Sequence, residues 1–476
     1  MVRCTALLLV ALLAPAAPAA DYAVVVSKAT RADAAWKPVV DALVAKHQGA
    51  VVEYGTDLQE ARAQLADLHP RYTCFVATPG EAGRPFVADV HRLTRAYDDD
   101  PYTDTFWGIL TGYDAANALA IAKHTEPLTV RNVAAGTEVA LEMCEQGVCY
   151  DELVKGKVVS KKPGRDAQEG KGPDDTTHAL AEALDEADLF VTSGHATERD
   201  WQIGYRYRNG CFRSEGGRMF GVTAGGERFA IRSDRPKVYL PVGNCLMGHI
   251  NGPDAMALAW MNSCGVMQMA GYTVPTWYGY AGWGLLDCFV EQPGRYTLAE
   301  AFVANQLALE HRLYAAAPQT ARQSPPPGSR AAIKGEIAAE GKALGVTAQD
   351  VAGLLHDRDV VAFYGDPKWE ARMATGPGIR PAYGQTLAEK DGVYTLTVTP
   401  SRGADSFKPV NTNGSQRGWR PIVAFLPRRV RDVKVLAGAD LKPLIADDFI
   451  LVPNPRTCDP KRRYEVRFRA RPVDGR

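Results

Sequence analysis

Strand and helix patterns alternate through the N-terminal part of the chain. Tyr22–Ser27 is a continuous apolar run typical of a buried strand, residues 32–47 place apolar side chains at helical spacing, and residues 72–78 return to a strand pattern. Parallel strands need a long connection between them, which is usually a helix. The alternation therefore predicts an α/β fold in which a parallel sheet is flanked by helices.

Two later strand patterns each end in a reactive side chain flanked by glycine. The apolar run Leu189–Thr192 leads into Ser-Gly-His-Ala with His195, and residues 238–242 lead into Gly-Asn-Cys with Cys245. In an α/β sheet, chemistry usually lies at the carboxyl ends of the strands. A thiol attacks as the thiolate, and an imidazole can take its proton. Either residue alone is more typical of a structural role, but together they predict a catalytic thiol–imidazole pair.

The predicted reaction at a thiol also needs donors for an oxyanion. Backbone N–H groups at a tight turn commonly provide them. The amide that follows the histidine, that of Ala196, and the amide of Cys245 itself are the candidates.

The chain length and a change in pattern predict several structural units. A chain of 476 residues exceeds what one hydrophobic core normally supports. From about Gly384 the helical spacing disappears, and short strands separated by turn residues indicate a small β-sandwich. We expect an N-terminal α/β subdomain at 21–125, a catalytic subdomain at 126–383 and the β-sandwich at 384–476.

The first twenty residues have the pattern of a cleavable secretory signal peptide. Arg3 gives a positive start, residues 7–13 are apolar, and Ala-Pro-Ala-Ala at 17–20 is a small-residue cleavage region. The mature protein is therefore predicted to be secreted or periplasmic. No later segment offers about twenty uninterrupted apolar residues, so no membrane span is expected in the mature chain.

Charge and motifs exclude some classes of function. Lys plus Arg equals Asp plus Glu, 55 each, which gives no electrostatic footprint for nucleic acid. No pair of CxxC motifs and no HExxH is present, so we expect no zinc site and no required cofactor. The acidic segment 97–104 could hold a structural calcium ion, although its spacing is not that of an EF-hand and a solvated loop is the alternative.

Cysteine usage bears on the same hypothesis. Eight cysteines remain after Cys4 leaves with the signal peptide. In an oxidising compartment the simplest expectation is four disulfides, and Cys144 and Cys149 are close enough in sequence to bridge a short loop. A nucleophilic Cys245 must instead be free.

Several motifs in the same order resemble the gingipain family of secreted cysteine peptidases. The family's Thr-Gly-His-Gly is similar to residues 192–196, its Ala-Cys-x-x-Gly to residues 244–248, and its Phe/Tyr-Gly-Asp-Pro to residues 364–367. The resemblance covers most of the mature chain and implies a caspase-like sheet flanked by helices, followed by an immunoglobulin-like β-sandwich. Two positions differ, since Ala196 and Asn244 stand where the family has Gly and Ala.

The resemblance also implies a function and further site residues. It implies an exported cysteine endopeptidase that uses a Cys-His dyad and a thioester intermediate, with protein or peptide substrates. Glu138 becomes the candidate acid that orients the histidine. Asp151 or Glu152 becomes the specificity carboxylate, which favours a basic residue before the cleaved bond, and Trp277 a wall of the substrate cleft.

Two alternatives belong to other classes. The first is a catalytically inactive gingipain-like module that binds peptides or surface partners. It is favoured by the substitutions at Ala196 and Asn244 and by the predicted oxidising compartment, where an unpaired thiol could be lost to oxidation. A serine hydrolase would need a Gly-x-Ser-x-Gly elbow, which the chain lacks. The sequence predicts no particular oligomeric state.

Overall fold

The computed structural model describes residues 21–329 and 332–473. The predicted signal peptide, residues 1–20, lies outside the described residues. Within the described ranges, no helix has both the length and the apolar character needed to cross a bilayer.

One large sheet forms the centre of the α/β part. In the described residues it has twelve strands. In spatial order they are Ala50–Tyr54, Tyr22–Ser27, Tyr72–Val76, Phe106–Leu110, Val361–Tyr364, Val266–Tyr272, Lys237–Pro241, Leu189–Thr192, Asn132–Ala135, Gln146–Tyr150, Lys157–Lys161 and Gln168–Lys171.

The sheet is mixed. The first four strands in this order are parallel to one another, and so are the five from Val266–Tyr272 to Gln146–Tyr150. Val361–Tyr364 runs antiparallel to Val266–Tyr272. The predicted α/β fold with parallel strands is confirmed at this level, with antiparallel strands added.

The edge of the sheet differs from the sequence-based expectation. Composition predicts an exposed loop over residues 155–177, but Lys157–Lys161 and Gln168–Lys171 extend the sheet as antiparallel strands. The reason is local: Val159 packs against the core, and the buried Lys161 ammonium donates to the Cys144 carbonyl at 2.7 Å. Because its charge is hydrogen-bonded in this way, the lysine can occupy a strand that the composition of the segment disfavours.

Helices cover the sheet. The longest, Leu298–Ala316, begins at a capping box in which Thr297 and Glu300 each accept the other's backbone N–H. The other α-helices are Lys28–Ala32, Lys37–His47, Arg62–Leu68, Arg84–Thr94, Ala115–Lys123, Thr177–Glu186, Met256–Ser263, Tyr280–Leu285, Pro318–Ala321, Ala339–Ala343 and Ala348–Asp357.

Smaller sheets complete the α/β part. A four-stranded antiparallel sheet lies between the histidine and cysteine strands in sequence, and a two-stranded parallel one links distant segments. The strands are Asp200–Gln202, Cys211–Glu215, Arg218–Val222 and Arg228–Ile231 in the first, and Leu128–Val130 and Ala371–Met373 in the second.

The C-terminal part consists of antiparallel sheets with their own apolar core, as its alternating pattern predicts. Tyr394, Leu396, Ile450 and Phe468 are among the fully buried members of that core. One sheet contains Tyr383–Lys390, Val393–Pro400, Tyr464–Pro472 and Val430–Ala437, and the other contains Ile422–Phe425, Phe449–Val452 and Leu444–Ile445.

Two adjacent central strands position the candidate site. Every residue of Leu189–Thr192, the histidine strand, and of Lys237–Pro241, the cysteine strand, is buried. They pair in parallel, with Leu189 opposite Val238 and Thr192 opposite Pro241. Their carboxyl ends therefore lie level at one edge of the sheet.

Candidate active site

The loops that carry the histidine and the cysteine lie side by side at this edge. Thr192 and Pro241 are paired at the ends of the two strands. His195 comes three residues after Thr192, and Cys245 comes four residues after Pro241. Both loops turn through left-handed backbone, at Gly194 with φ of 88° and at Leu246 with φ of 61°. A leucine rarely adopts that conformation, so the turn beside the thiol is strained.

Asn244 joins the two loops. Its side chain is fully buried, and its Oδ1 accepts the Thr192 hydroxyl at 2.6 Å while its Nδ2 donates to the Gly194 carbonyl at 3.0 Å. One end of the amide therefore holds the end of the histidine strand, and the other holds the residue before the histidine. The polar side chain that departs from the family pattern is a bridge between the loops and does not fill the cleft.

The Cys245 thiol is half-buried and unpaired. The Thr276 backbone N–H donates to its Sγ at 3.2 Å, and the Thr276 hydroxyl donates to the carbonyl of Asn244 at 3.1 Å. The thiol in turn donates to the Thr276 carbonyl, with Sγ and O 3.9 Å apart. Sequence reasoning did not identify the Thr276 N–H as a donor, because it lies thirty-one residues further along the chain.

The His195 side chain is exposed, and its ring stacks on Tyr205 with centroids 4.9 Å apart and planes 29° apart. Within the described part of the chain, no hydrogen bond or ion pair holds its ring nitrogens. The imidazole is thus positioned by stacking and keeps both nitrogens available for proton transfer.

The two predicted oxyanion donors are the backbone N–H groups of Ala196 and Cys245. Ala196 is held opposite Trp201 by hydrogen bonds of its neighbours, since the Thr197 N–H donates to Asp200 O and the Gln202 N–H donates to His195 O. Among the described residues, neither the Ala196 N–H nor the Cys245 N–H donates a hydrogen bond. Both amides remain able to donate to a substrate oxygen.

The carboxylate that supports the histidine loop is Glu152. It is buried, and it accepts hydrogen bonds from the Ser193 hydroxyl and, at 2.8 Å, from the Thr137 hydroxyl. Its backbone carbonyl accepts the Tyr205 N–H at 2.7 Å. Burial raises the pKa of Glu152, and the hydrogen bonds from Ser193 and Thr137 oppose that shift.

Glu138, the sequence-based candidate for orienting the histidine, lies elsewhere. It is exposed and accepts a hydrogen bond from the Asn411 amide at 3.2 Å. No contact between Glu138 and His195 occurs in the described ranges. Sequence reasoning could have favoured Glu152 for this role, because it closely follows Gln146–Tyr150, a strand that is parallel to its neighbour.

Asp151, the candidate specificity residue, already has local partners. Its Oδ1 accepts the N–H groups of Leu153 and Val154 at 2.8 and 3.0 Å, and its Oδ2 is paired with Lys157 at 3.2 Å. Asp151 and Glu138 line the same cavity of about 440 Å³. The structure thus places two of the predicted acids in one cavity, which Lys157 also lines.

Two exposed aromatic side chains lie close to the candidate residues His195 and Cys245. Trp277, which is 45 % exposed, follows the threonine whose N–H reaches Cys245. Tyr205, which is 49 % exposed, lies against the His195 ring. Exposed aromatics at such a position suit contacts with a substrate chain. The sequence predicts this role for Trp277, whereas Tyr205 lies in a Gly- and Arg-rich stretch that gives no such signal.

The cysteines of the described chain are all unpaired, so the expectation of four disulfides is not met. Burial raises the pKa of Cys264 and of Cys288 to about 12, and likewise that of Cys149. These thiols stay protonated near neutral pH. Cys245 is set apart from them by its partial exposure and by the donor at its sulfur.

Among the described residues, two overlapping groups of side chains could hold a metal ion, and neither contains His195 or Cys245. Within each group, the atoms that could bind the ion lie within 4.8 Å of one another. Both groups contain Asp98, which is already paired with Arg429 at 3.3 Å. The groups are His69, Asp98 and Asp447, and Asp98, Asp100 and Asp104. A structural calcium ion at the acidic segment stays a prediction.

Comparisons with protein-family models, with curated proteins and with solved structures each found no match to this chain.

Proposed function

We propose that this protein is an exported cysteine endopeptidase of the gingipain-like type, with a caspase-like core and an immunoglobulin-like C-terminal sandwich. The observation that carries the proposal is the placement of a free Cys245 and an exposed His195 on adjacent loops that Asn244 fastens together. That arrangement has the parts of a thiol nucleophile and its base.

In the proposed reaction, His195 takes the proton from Cys245 Sγ, and the thiolate attacks the carbonyl carbon of the peptide bond. The N–H groups of Ala196 and Cys245 hold the resulting oxyanion. The intermediate collapses as His195 gives its proton to the leaving amine, which leaves a thioester on Cys245. Water, deprotonated by His195, attacks the thioester, and the proton returns to the sulfur as the acid departs.

The alternative of a silent binding module rests on Ala196 and Asn244, and the geometry weakens it. Asn244 is fully buried and uses both ends of its amide within the protein, so it does not obstruct a substrate. Among the described residues, the Ala196 N–H has no other acceptor. Both substitutions are therefore compatible with catalysis.

The substrate class follows from the surroundings of the pair. Exposed Tyr205 and Trp277 offer flat apolar surfaces to an extended peptide. The expectation of a basic residue before the cleaved bond comes from the resemblance to gingipains, and the cavity lined by Asp151 and Glu138 supplies carboxylates that could pair with it, although neither His195 nor Cys245 lines that cavity. Lys157, which is paired with Asp151, would have to move aside for such a residue.

The test is a mixture of peptides that differ only in the residue before one susceptible bond. The wild-type protein should cut the Arg and Lys peptides fastest, and Cys245→Ala and His195→Ala should cut none of them. Rapid acid quenching should trap an acyl group on Cys245, detected by mass. Cleavage that survives in Cys245→Ala would overturn the proposal. Retention of uncut peptide by the wild type would instead identify a binding module.

A further inference from the structure

A segment of the C-terminal part crosses to the candidate active site. It is residues 409–420, here named the strap, and it lies between strand Val393–Pro400 and strand Ile422–Phe425 in the chain. Both flanking strands belong to the antiparallel sheets, yet the strap packs against the α/β part. A loop that leaves its own domain to make buried contacts with another is a candidate for a functional role.

Buried ion pairs fix one end of the strap. The Arg417 guanidinium, whose side chain is 2 % exposed, pairs with Asp287 at 2.7 Å and also with Glu291. Arg420 reaches the same Asp287 at 2.8 Å and lies over the Tyr280 ring at 3.6 Å. Since a buried charge is tolerated only when it is paired, these contacts hold the strap in one place.

The middle of the strap reaches the carboxylate behind the histidine. The Asn413 amide donates to Thr137 Oγ1 at 3.3 Å, and its nitrogen lies 3.5 Å from Glu152 Oε1. Glu152 in turn accepts the Ser193 hydroxyl, two residues before His195. The chain of contacts therefore runs from the strap to the histidine loop through one buried carboxylate.

The next residue of the strap reaches the cysteine loop through an indole. A Cβ at Gly414 would lie 2.3 Å from the Trp283 ring, so only glycine allows this approach. A Cβ at Gly243 would lie 2.9 Å from the same ring. Trp283 is therefore held between the strap and the residue that precedes Asn244 and Cys245.

We infer that the strap is part of the catalytic apparatus and that Asn413 is a positioning residue, which acts on His195 through Glu152. The inference rests on the proposed function, since it assigns a role within that same site. It also gives the C-terminal domain a role in catalysis, because Asn413 contacts the carboxylate that supports the histidine loop. Glu152 has hydrogen-bond partners in Ser193, Thr137 and Asn413. The charged group that acts on it besides these three is Asp151.

The test measures the rate of Cys245 alkylation by iodoacetamide between pH 5 and pH 9 in the full chain. The variants are Asn413→Ala and Asn413→Asp, the second of which keeps the shape of the side chain and removes its donor. The matched controls are Gln385→Ala and Gln385→Glu, because Gln385 belongs to the same C-terminal part and its amide donates to a backbone carbonyl, Val423 O at 2.7 Å, and not to Glu152. Thermal melting confirms that every variant is folded.

Both Asn413 variants should lose alkylation near pH 6 by roughly ten- to a hundredfold, because a displaced imidazole no longer activates the thiol. At pH 9 alkylation no longer depends on an imidazole to accept the proton, and the rate should match the wild type. The Gln385 variants should follow the wild type throughout. A wild-type profile in Asn413→Asp, or an equal loss at every pH, would overturn the inference. If His195→Ala leaves wild-type alkylation unchanged, the proposed function itself fails.

Discussion

Replacement of Asn244 by alanine tests whether the bridge between the two loops holds the reactive pair. The change removes the donor to Gly194 O and the acceptor of the Thr192 hydroxyl in a fully buried place. Thr192 keeps a second partner, the Tyr239 hydroxyl at 2.8 Å, so the carbonyl of Gly194 bears most of the loss. We expect the free energy of unfolding to fall by about 1–3 kcal/mol, the range for buried polar groups left unpaired.

The assay for Asn244→Ala combines urea denaturation, followed by tryptophan fluorescence, with the rate of Cys245 alkylation at pH 6. Stability and alkylation should both fall, because the loop that carries His195 loses its tie to the cysteine loop. Gln268→Ala is the matched control. Its buried amide donates to the carbonyls of Asp366 and Trp369 at 2.7 and 3.1 Å, and it pairs with Val238 at the start of the cysteine strand.

Gln268→Ala should therefore lose a similar amount of stability and keep the wild-type alkylation rate. The reasoning is refuted if Asn244→Ala keeps both properties. It is also refuted if Gln268→Ala slows alkylation as much as Asn244→Ala does, since the effect would then be general loosening of the fold.

Three further changes have expected outcomes. Arg417→Ala leaves the buried Glu291 without its arginine and Asp287 with Arg420 alone, and it should cost about 3–5 kcal/mol in urea denaturation; a loss under about 1 kcal/mol would contradict the anchoring role. Burial, with Asp98 close by, raises the pKa of Asp100 to about 6. The protonated carboxyl group of Asp100 therefore contributes to the stability of the folded protein at acid pH, and this contribution is lost as the pH rises through 6. Asp100→Asn should therefore stabilise the protein at pH 7.5 by about 1–2 kcal/mol, after discounting for partial exposure, with no gain at pH 4; an equal gain at both would contradict this. Trp277→Ala should raise KM for a peptide substrate several-fold with kcat nearly unchanged, and an unchanged KM would remove Trp277 from the substrate cleft.

The strands that carry the site could be predicted because their signal is local. Leu189–Thr192 is a short, fully buried run, and it appears in the structure with the predicted bounds. The cysteine strand begins and ends one residue earlier than predicted, at Lys237–Pro241. Its first residue is a lysine, which is buried because its ammonium donates to Ser233 Oγ at 2.7 Å. Hydropathy alone excludes such a residue from a strand.

The supporting contacts could not be predicted, since they join residues far apart in sequence. Asn413 lies 276 residues from Thr137 and 261 from Glu152, and no periodicity connects them. Thr276 reaches Cys245 through its backbone, which leaves no signature in its side chain. Glu138 is favoured by the sequence because it follows a strand, and a rule of that kind does not separate an exposed carboxylate from a buried one.

The most direct test of the central claim, that His195 activates Cys245, is alkylation of the mature protein with iodoacetamide at pH 6, mapped by mass. The account predicts that Cys245 is labelled faster than every other cysteine. Burial raises the pKa of Cys264 and of Cys288 to about 12 and keeps those thiols protonated, and the partly exposed Cys211 and Cys458 serve as internal references. Labelling should fall at least about tenfold in His195→Ala, since few thiolates form at this pH without the imidazole. Slow labelling of Cys245 that is the same in the wild type and in His195→Ala would contradict the account.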